Sequence, residues 1–110
     1  MSAASAAPTG WQSAIVTAIT RDALPAMSIR LRPMRPIVHA PGQRLVVRLT
    51  AEDGYRTSRT YPIASAPNDR GDLEIVVLLR PGGEVSTFLC DVLTVGDKLE
   101  VRGPIGSVSA

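Results

Sequence analysis

Two short segments carry residue types suited to binding an anion and a flat ring. Arg59 and Tyr61 lie two positions apart in a segment with strand character, so their side chains are expected on one face of the strand. Gly83 and Ser86 open a segment with helical character, and a helix start presents free N–H groups and the positive end of its dipole. Together they predict a pocket for a ligand with a pyrophosphate and an aromatic ring, such as a flavin dinucleotide.

The elements that must position these residues can be predicted from periodicity. Six segments show β-rich composition or period-two alternation, and they are separated by Pro, Gly and Asp-Gly signals: 11–20, 27–32, 44–50, 57–64, 73–79 and 98–102. The apolar residues of 85–94 instead follow the period of a helix. Gly103-Pro-Ile-Gly106 is expected to be a turn. The pattern predicts an all-β protein, a six-stranded antiparallel Greek-key barrel with one helix near residues 85–94.

Length and composition limit the possible classes of protein. The 110 residues suit one small domain, and eleven Arg and one Lys against ten acids leave a net charge of only +2. This balance gives no strong case for a nucleic-acid partner, and no apolar run is long enough to predict a membrane span. The single cysteine, Cys90, suits a reducing, cytoplasmic compartment. We expect a disordered tail at 1–10, a barrel domain at 11–106 and a C-terminal tail at 107–110.

Several short motifs occur in an order that resembles the FAD-binding barrel domain of the ferredoxin–NADP(+) reductase superfamily. Each motif is weak alone, but the ordered set is fairly specific and covers about residues 11–106. The motifs are Pro41-Gly-Gln43, Arg59-x-Tyr61, Ala64-Ser65-x-Pro67, Gly83-x-x-Ser86, Val95-Gly-Asp97 and Gly103-Pro-Ile-Gly106.

The resemblance implies a cofactor, FAD with FMN as an alternative, and roles for particular residues. Arg59 would bind the pyrophosphate, which matches the planar fork of a guanidinium. Tyr61 would pack against the isoalloxazine ring and the ribityl chain, and the helix start would receive the pyrophosphate. The cofactor-binding residues that follow are Arg59, Tyr61, Pro62, Ile63, Gly83, Val85 and Ser86. No catalytic side chain is expected.

The sequence departs from the family pattern in two places. Pro62 stands where the family usually has Ser or Thr after the Tyr, so this position offers neither a hydroxyl nor an N–H. In addition, the sequence contains no Gly-x-Gly-x-x-Gly motif. Only four residues follow Gly106, whereas the family continues at this point into a nicotinamide-binding domain. We therefore expect NAD(P)H to be bound by a domain or a redox partner protein outside this chain.

Other readings of the residues stay open. A non-enzymatic barrel that binds oligonucleotides or another ligand would need exposed aromatics among basic residues, and one Trp, two Tyr and one Phe are a thin supply. A degenerate domain without a cofactor is the third reading. His39 lacks companions for a metal site and is expected in a loop, although contact with the flavin edge is an alternative. Cys90 is expected as a small core or boundary residue of the helix.

Overall fold

A computed structural model describes residues 10–21, 25–66, 70–80 and 82–106. It contains six strands and one helix within these ranges, as the sequence predicts. The strands are β1 (Gln12–Thr20), β2 (Ala26–Pro33), β3 (Arg44–Thr50), β4 (Arg56–Pro62), β5 (Leu73–Leu78) and β6 (Lys98–Ile105), and the helix α1 (Glu84–Asp91) lies between β5 and β6. The predicted tails at 1–10 and 107–110 lie outside the described residues, apart from Gly10.

The alternation in the sequence becomes the burial pattern of the strands. In β5, residues with even and odd numbers point to opposite faces, and Leu73, Ile75 and Val77 are fully buried. The other strands and α1 contribute their buried residues to the same core: Ala14, Val16, Met27, Ile29, Leu31, Leu45, Val47, Tyr61, Val85, Leu89, Leu99 and Val101. One continuous apolar core therefore stabilises the whole domain.

The strands form one antiparallel sheet in the order β4-β3-β6-β1-β2-β5. The last strand, β6, lies between β3 and β1, so the order is that of a Greek key and not of a simple meander. The sheet does not close into a full barrel. Among the described residues, the two edge strands are linked only where the chain leaves β4: Ile63 forms an isolated bridge with Ile75, and Ala64 N donates to Glu74 O over 2.8 Å. Beyond this bridge β4 and β5 diverge, and α1 packs against both of them.

The expected turn at Gly103-Pro-Ile-Gly106 is wrong for its first three residues, because β6 continues through them to Ile105. Arg44 of β3 pairs with Ile105 and Val46 pairs with Arg102, so Leu45 alone faces two residues of β6. This is a β-bulge. Gly103 permits it, since its φ is +149° and an added Cβ would lie 3.2 Å from Arg44 O.

The side chain of Arg21, the residue after β1, binds backbone carbonyl groups at the C-terminal end of α1. Arg21 donates from Nε to Cys90 O and from Nη2 to Leu93 O, both over 3.2 Å. The last turn of α1 has no basic residue of its own, so Arg21 supplies the positive charge that complements the C-terminal dipole.

We predict that Arg21→Ala destabilises the domain by about 1 kcal/mol, because two carbonyl groups at the end of α1 lose their donor. For a domain of this size the midpoint of thermal unfolding should fall by roughly 4–8 °C. Circular dichroism at 222 nm measures it. Arg35→Ala is the matched control, since the Arg35 guanidinium has no hydrogen-bond partner among the described residues. An equal midpoint for the two variants would contradict the role of Arg21.

Candidate functional site

The divergence of β4 and β5 opens a cleft of about 760 Å³, which we call the β4–β5 cleft. Its walls come from the two edge strands, and its mouth comes from the loop after β5 and the first turn of α1. Among the described residues, its lining consists of Arg59, Thr60, Tyr61, Pro62, Val76, Leu78, Arg80, Gly82, Gly83, Val85 and Ser86. Cofactor sites commonly have volumes of about 300–1,000 Å³, so a ligand of dinucleotide size can be accommodated.

The structure brings six of the seven predicted site residues together in this cleft. Tyr61 is 8% exposed and forms part of the wall, whereas Arg59 and Pro62 are exposed. Ile63 lies outside the cleft lining. Its side chain belongs to the core and its N–H donates to Gln43 O over 3.1 Å, so it closes the end of the cleft instead of facing it.

The cleft changes in character along its length. The Ile63–Ile75 bridge closes one end, and next to it lie Pro62 of β4 and Val76 of β5. Arg59 of β4 is four residues from Ile63, the bridge residue. At about 3.3 Å per residue, its Cα lies about 13 Å from the closed end. The start of α1 also lies away from the bridge, because Gly83 N bonds to Arg80 O, and Arg80 is five residues beyond Ile75. The cleft is therefore apolar at its closed end and cationic at its open end.

The helix start has no side-chain cap. Gly83 is the N-cap residue, and no side chain bonds to the first N–H groups of α1 within the described residues. Free N–H groups at a helix start attract anions, since they add to the positive end of the dipole. An added Cβ on Gly83 would lie 2.9 Å from Ser86 Oγ and 3.1 Å from Arg80 O, so this position has no room for a side chain.

The Ser86 hydroxyl is hydrogen-bonded to the backbone of the loop before α1. Ser86 is 5% exposed, and its Oγ accepts a hydrogen bond from Arg80 N over 3.2 Å and donates to Gly83 O over 3.4 Å. The hydroxyl therefore fixes the loop before α1. Any contact of Ser86 with an anion is left to its backbone N–H.

Electrostatics favour a neutral phenol and an anionic ligand. Burial raises the pKa of Tyr61, although the nearby guanidinium groups of Arg59 and Arg80 act in the opposite direction. The charged residues among the described lining of the cleft are both arginines. The Arg59 guanidinium donates to the carbonyl of Ser58 over 2.8 Å, which leaves most of its donors available.

A second cleft, of about 540 Å³, lies between the β3–β4 hairpin and α1 but contains none of the predicted residues. Its charges are largely used within the protein. Arg48 binds both carboxylate oxygens of Glu100 over 3.1 Å and stacks on Trp11, and the hydrogen bond from Arg48 lowers the pKa of Glu100. Glu84 also lines this cleft and accepts a hydrogen bond from Tyr55 Oη. A surface on which positive and negative side chains occur together and are already bonded is less suited to an anion than the β4–β5 cleft.

The remaining candidate residues lie outside the β4–β5 cleft. His39 is buried in the loop after β2, with Nε2 2.9 Å from Ser65 O, so the expected loop position is confirmed. The Ser65 hydroxyl accepts a hydrogen bond from Glu74 N over 2.9 Å, so it has a structural role between the segments that flank the closed end of the cleft. Cys90 is buried in α1, and burial raises the pKa of its thiol. Within the described ranges, no group of three His, Cys, Asp or Glu side chains could hold a metal ion.

Sequence reasoning missed the wall that β5 contributes. Val76, Leu78 and Arg80 alternate with the buried residues of β5, so period two places them on a common face. That signal was present in the sequence. What the sequence does not show is that this edge of the sheet faces β4 across an open gap.

Comparison with known proteins shows to which family the chain belongs. Residues 17–109 match the family model of the oxidoreductase FAD-binding domain. The chain belongs to this family of FAD-binding domains. The resemblance read from the ordered motifs is thereby confirmed.

Two curated relatives illustrate the relationship of this FAD-binding domain to longer proteins. The ferredoxin–NAD(P)(+) reductase component of the naphthalene 1,2-dioxygenase/salicylate 5-hydroxylase systems of a Ralstonia species is 32% identical over 92 residues, which are 84% of this chain and 26% of that protein. The toluate 1,2-dioxygenase electron transfer component of Pseudomonas putida is 29% identical over 100 residues, or 89% of this chain and 28% of that protein. The chain thus spans about a quarter of the length of these relatives.

Solved structures have the same fold as this FAD-binding domain. The ferredoxin reductase of carbazole 1,9a-dioxygenase superimposes with a TM-score of 0.79 and 29% identity, covering 93% of this chain and 30% of that chain. The flavohem-like FAD/NAD-binding domain of nitric oxide dioxygenase from Vibrio cholerae gives a TM-score of 0.79 and 26% identity, covering 87% and 44%. In the described part of this chain, no helix is both long and apolar enough to cross a membrane.

Proposed function

We propose that the β4–β5 cleft binds FAD and that the chain is the flavin-carrying part of an oxidoreductase that passes electrons between NAD(P)H and an acceptor. The observation that carries this proposal is the graded cleft, which is apolar at its closed end and cationic at its open end. A dinucleotide with a flat ring system at one end and a pyrophosphate further along has the complementary distribution of polarity. FMN has the same ring and one phosphate, and is the alternative cofactor.

Each part of the cleft has a role in this proposal. Arg59 binds the pyrophosphate, helped by the free N–H groups at the start of α1 beside Gly83 and Val85. Tyr61 offers a flat, buried surface for the ring system and the ribityl chain. Pro62 contributes an apolar contact but no hydrogen bond, because it lacks both a hydroxyl and an N–H.

The flavin, when bound, supplies the redox chemistry, and this chain binds it, orients it and excludes water. The Ralstonia and Pseudomonas relatives are a reductase component and an electron transfer component, and both proteins are three to four times as long as the part matched here. We propose that NAD(P)H binds to a separate nicotinamide-binding domain or to a partner protein. A cytoplasmic location is part of the proposal and rests on the single free Cys90.

Flavin titration of the purified, cofactor-free chain tests the proposal. We expect FAD to bind with micromolar affinity or better, with quenched fluorescence and a shifted visible spectrum, and we expect a mixed-sequence single-stranded oligonucleotide not to bind or to displace it. No binding of FAD or FMN at concentrations up to about 1 mM, roughly −4 kcal/mol, would overturn the proposed function. Binding of the oligonucleotide by a colourless protein would instead support the oligonucleotide-binding alternative.

A further inference from the structure

Arg80 occupies a place opposite Arg59 that no motif in the sequence predicts. It follows β5 by two residues and continues the face formed by Val76 and Leu78, which lines the β4–β5 cleft. Arg59 lies on the other edge strand, β4. The two arginines therefore reach the open end of the same cleft from opposite walls.

The backbone of Arg80 is coupled directly to the start of α1. Its N–H donates to Ser86 Oγ over 3.2 Å, and its carbonyl accepts a hydrogen bond from Gly83 N over 2.9 Å. The Cβ of Arg80 would lie only 3.4 Å from a Cβ placed on Gly83, so the side chain leaves the backbone beside the helix N-terminus. The position of Arg80 is thus fixed relative to the free N–H groups of α1.

The charge of Arg80 is not neutralised by the protein. Its guanidinium has no hydrogen bond or ion pair within the described part of the chain. The described lining of the cleft contains no acid, and Glu84, the nearest acid along the chain, lines the second cleft. Burial raises the pKa of Tyr61, and the charges of Arg59 and Arg80 both oppose this rise, so both act on the same phenol. Two unneutralised guanidinium groups at one site attract an anionic ligand, and their separate positions can serve two phosphate groups.

We propose that Arg80 is a second phosphate-binding residue and that it makes the cleft selective for a dinucleotide over a mononucleotide. This inference rests on the proposed function. A guanidinium binds one phosphate group well through its planar fork, so two arginines on opposite walls match the two phosphate groups of a pyrophosphate. FMN carries a single phosphate and would be bound by one of the two arginines. Riboflavin has none and uses neither.

The test is a titration of the cofactor-free chain with FAD, FMN and riboflavin, followed by flavin fluorescence at constant salt. Arg80→Gln keeps the Cβ and the backbone contacts but removes the charge. We expect it to weaken FAD binding by about 10- to 100-fold, FMN binding by no more than about threefold, and riboflavin binding not measurably. Arg80→Lys, which keeps the charge but not the fork, should lie between Arg80→Gln and the wild type for FAD. Arg35→Gln is the control for an exposed arginine outside the cleft.

The outcomes separate this inference from the proposed function. If the wild type binds FAD and Arg80→Gln binds it equally well, the role of Arg80 is wrong while the flavin site stands. An equal loss for FAD, FMN and riboflavin also overturns the inference, because it indicates a structural effect on the cleft. If the wild type binds none of the three, both the proposed function and the inference fail. Thermal unfolding of each variant shows whether the fold is kept.

Discussion

Replacing Arg59 by Glu should nearly abolish FAD binding, and Arg59→Ala should weaken it by roughly 10- to 150-fold. Arg59 is exposed at the open end of the β4–β5 cleft, and its guanidinium makes one hydrogen bond, to the carbonyl of Ser58, within the described residues. Its remaining donors are available to a phosphate. Glu at this place adds repulsion to the loss of the contact, so its effect exceeds that of Ala. Fluorescence titration with FAD measures both.

The control for charge reversal is Arg56→Glu. Arg56 lies on the same strand, is exposed, and is absent from the lining of the cleft, so this variant makes the same change of net charge without entering the site. FAD affinity should fall as the salt concentration rises for the wild type and for Arg56→Glu, and much less for Arg59→Ala. If Arg59→Glu and Arg56→Glu bind FAD with equal affinity, Arg59 does not contact the phosphates.

The strands and the helix could be predicted because burial imposes its period directly on the sequence. In β2 and β5 every second residue enters the core, and the register pairs Ile29 with Ile75. A helix between β5 and β6 followed from the change of period. The bounds shifted by a few residues, since strand ends depend on pairing partners that the local sequence does not specify.

Two features of the fold could not be predicted because they are set by tertiary contacts. Gly103-Pro104 is typical of a turn, yet both residues lie in β6 opposite Leu45, where a bulge takes up the extra residue. The incomplete closure of the sheet is the second case. Six strands with no visible edge signals predict a barrel, whereas the structure replaces most of the β4–β5 pairing by α1 and the cleft.

The candidate site shows the same division between local and tertiary information. The pair Arg59 and Tyr61 could be predicted from spacing on one strand, and Gly83 from the start of a helix. Arg80 and Leu78 join them only because β5 is the opposite edge of the sheet. Ser86 was predicted from the same helix start, whereas the bonds of its hydroxyl to the backbone of Arg80 and Gly83 could not be predicted, because they depend on the shape of the loop.

Gly83→Ala should weaken FAD binding by about 10- to 100-fold and destabilise the domain by about 1–3 kcal/mol. The φ of Gly83 is −82°, which any residue can adopt, so the effect comes from lack of space and not from backbone strain. A Cβ would lie 2.9 Å from Ser86 Oγ and 3.1 Å from Arg80 O. To relieve these contacts the loop must move, which separates Arg80 from the start of α1 and displaces both anion-binding groups together.

Ser86→Ala and the double variant Gly83→Ala/Ser86→Ala test this explanation. Ser86→Ala alone loses the hydrogen bond to Arg80 N, but it also removes the Oγ atom that is nearest to the new methyl group. If crowding against Ser86 Oγ is the cause, the double variant should bind FAD better than expected from multiplying the fold-losses of the two single variants. A double-mutant cycle measures this coupling. Gly54→Ala, between β3 and β4 and outside the cleft lining, is the companion control for FAD affinity, because its Cβ would have no heavy atom within 4 Å although its φ is +91°. Gly83→Ala with wild-type affinity would show that the space beside Gly83 does not control the site, and strictly additive losses in the cycle would show that crowding against Ser86 Oγ is not the cause.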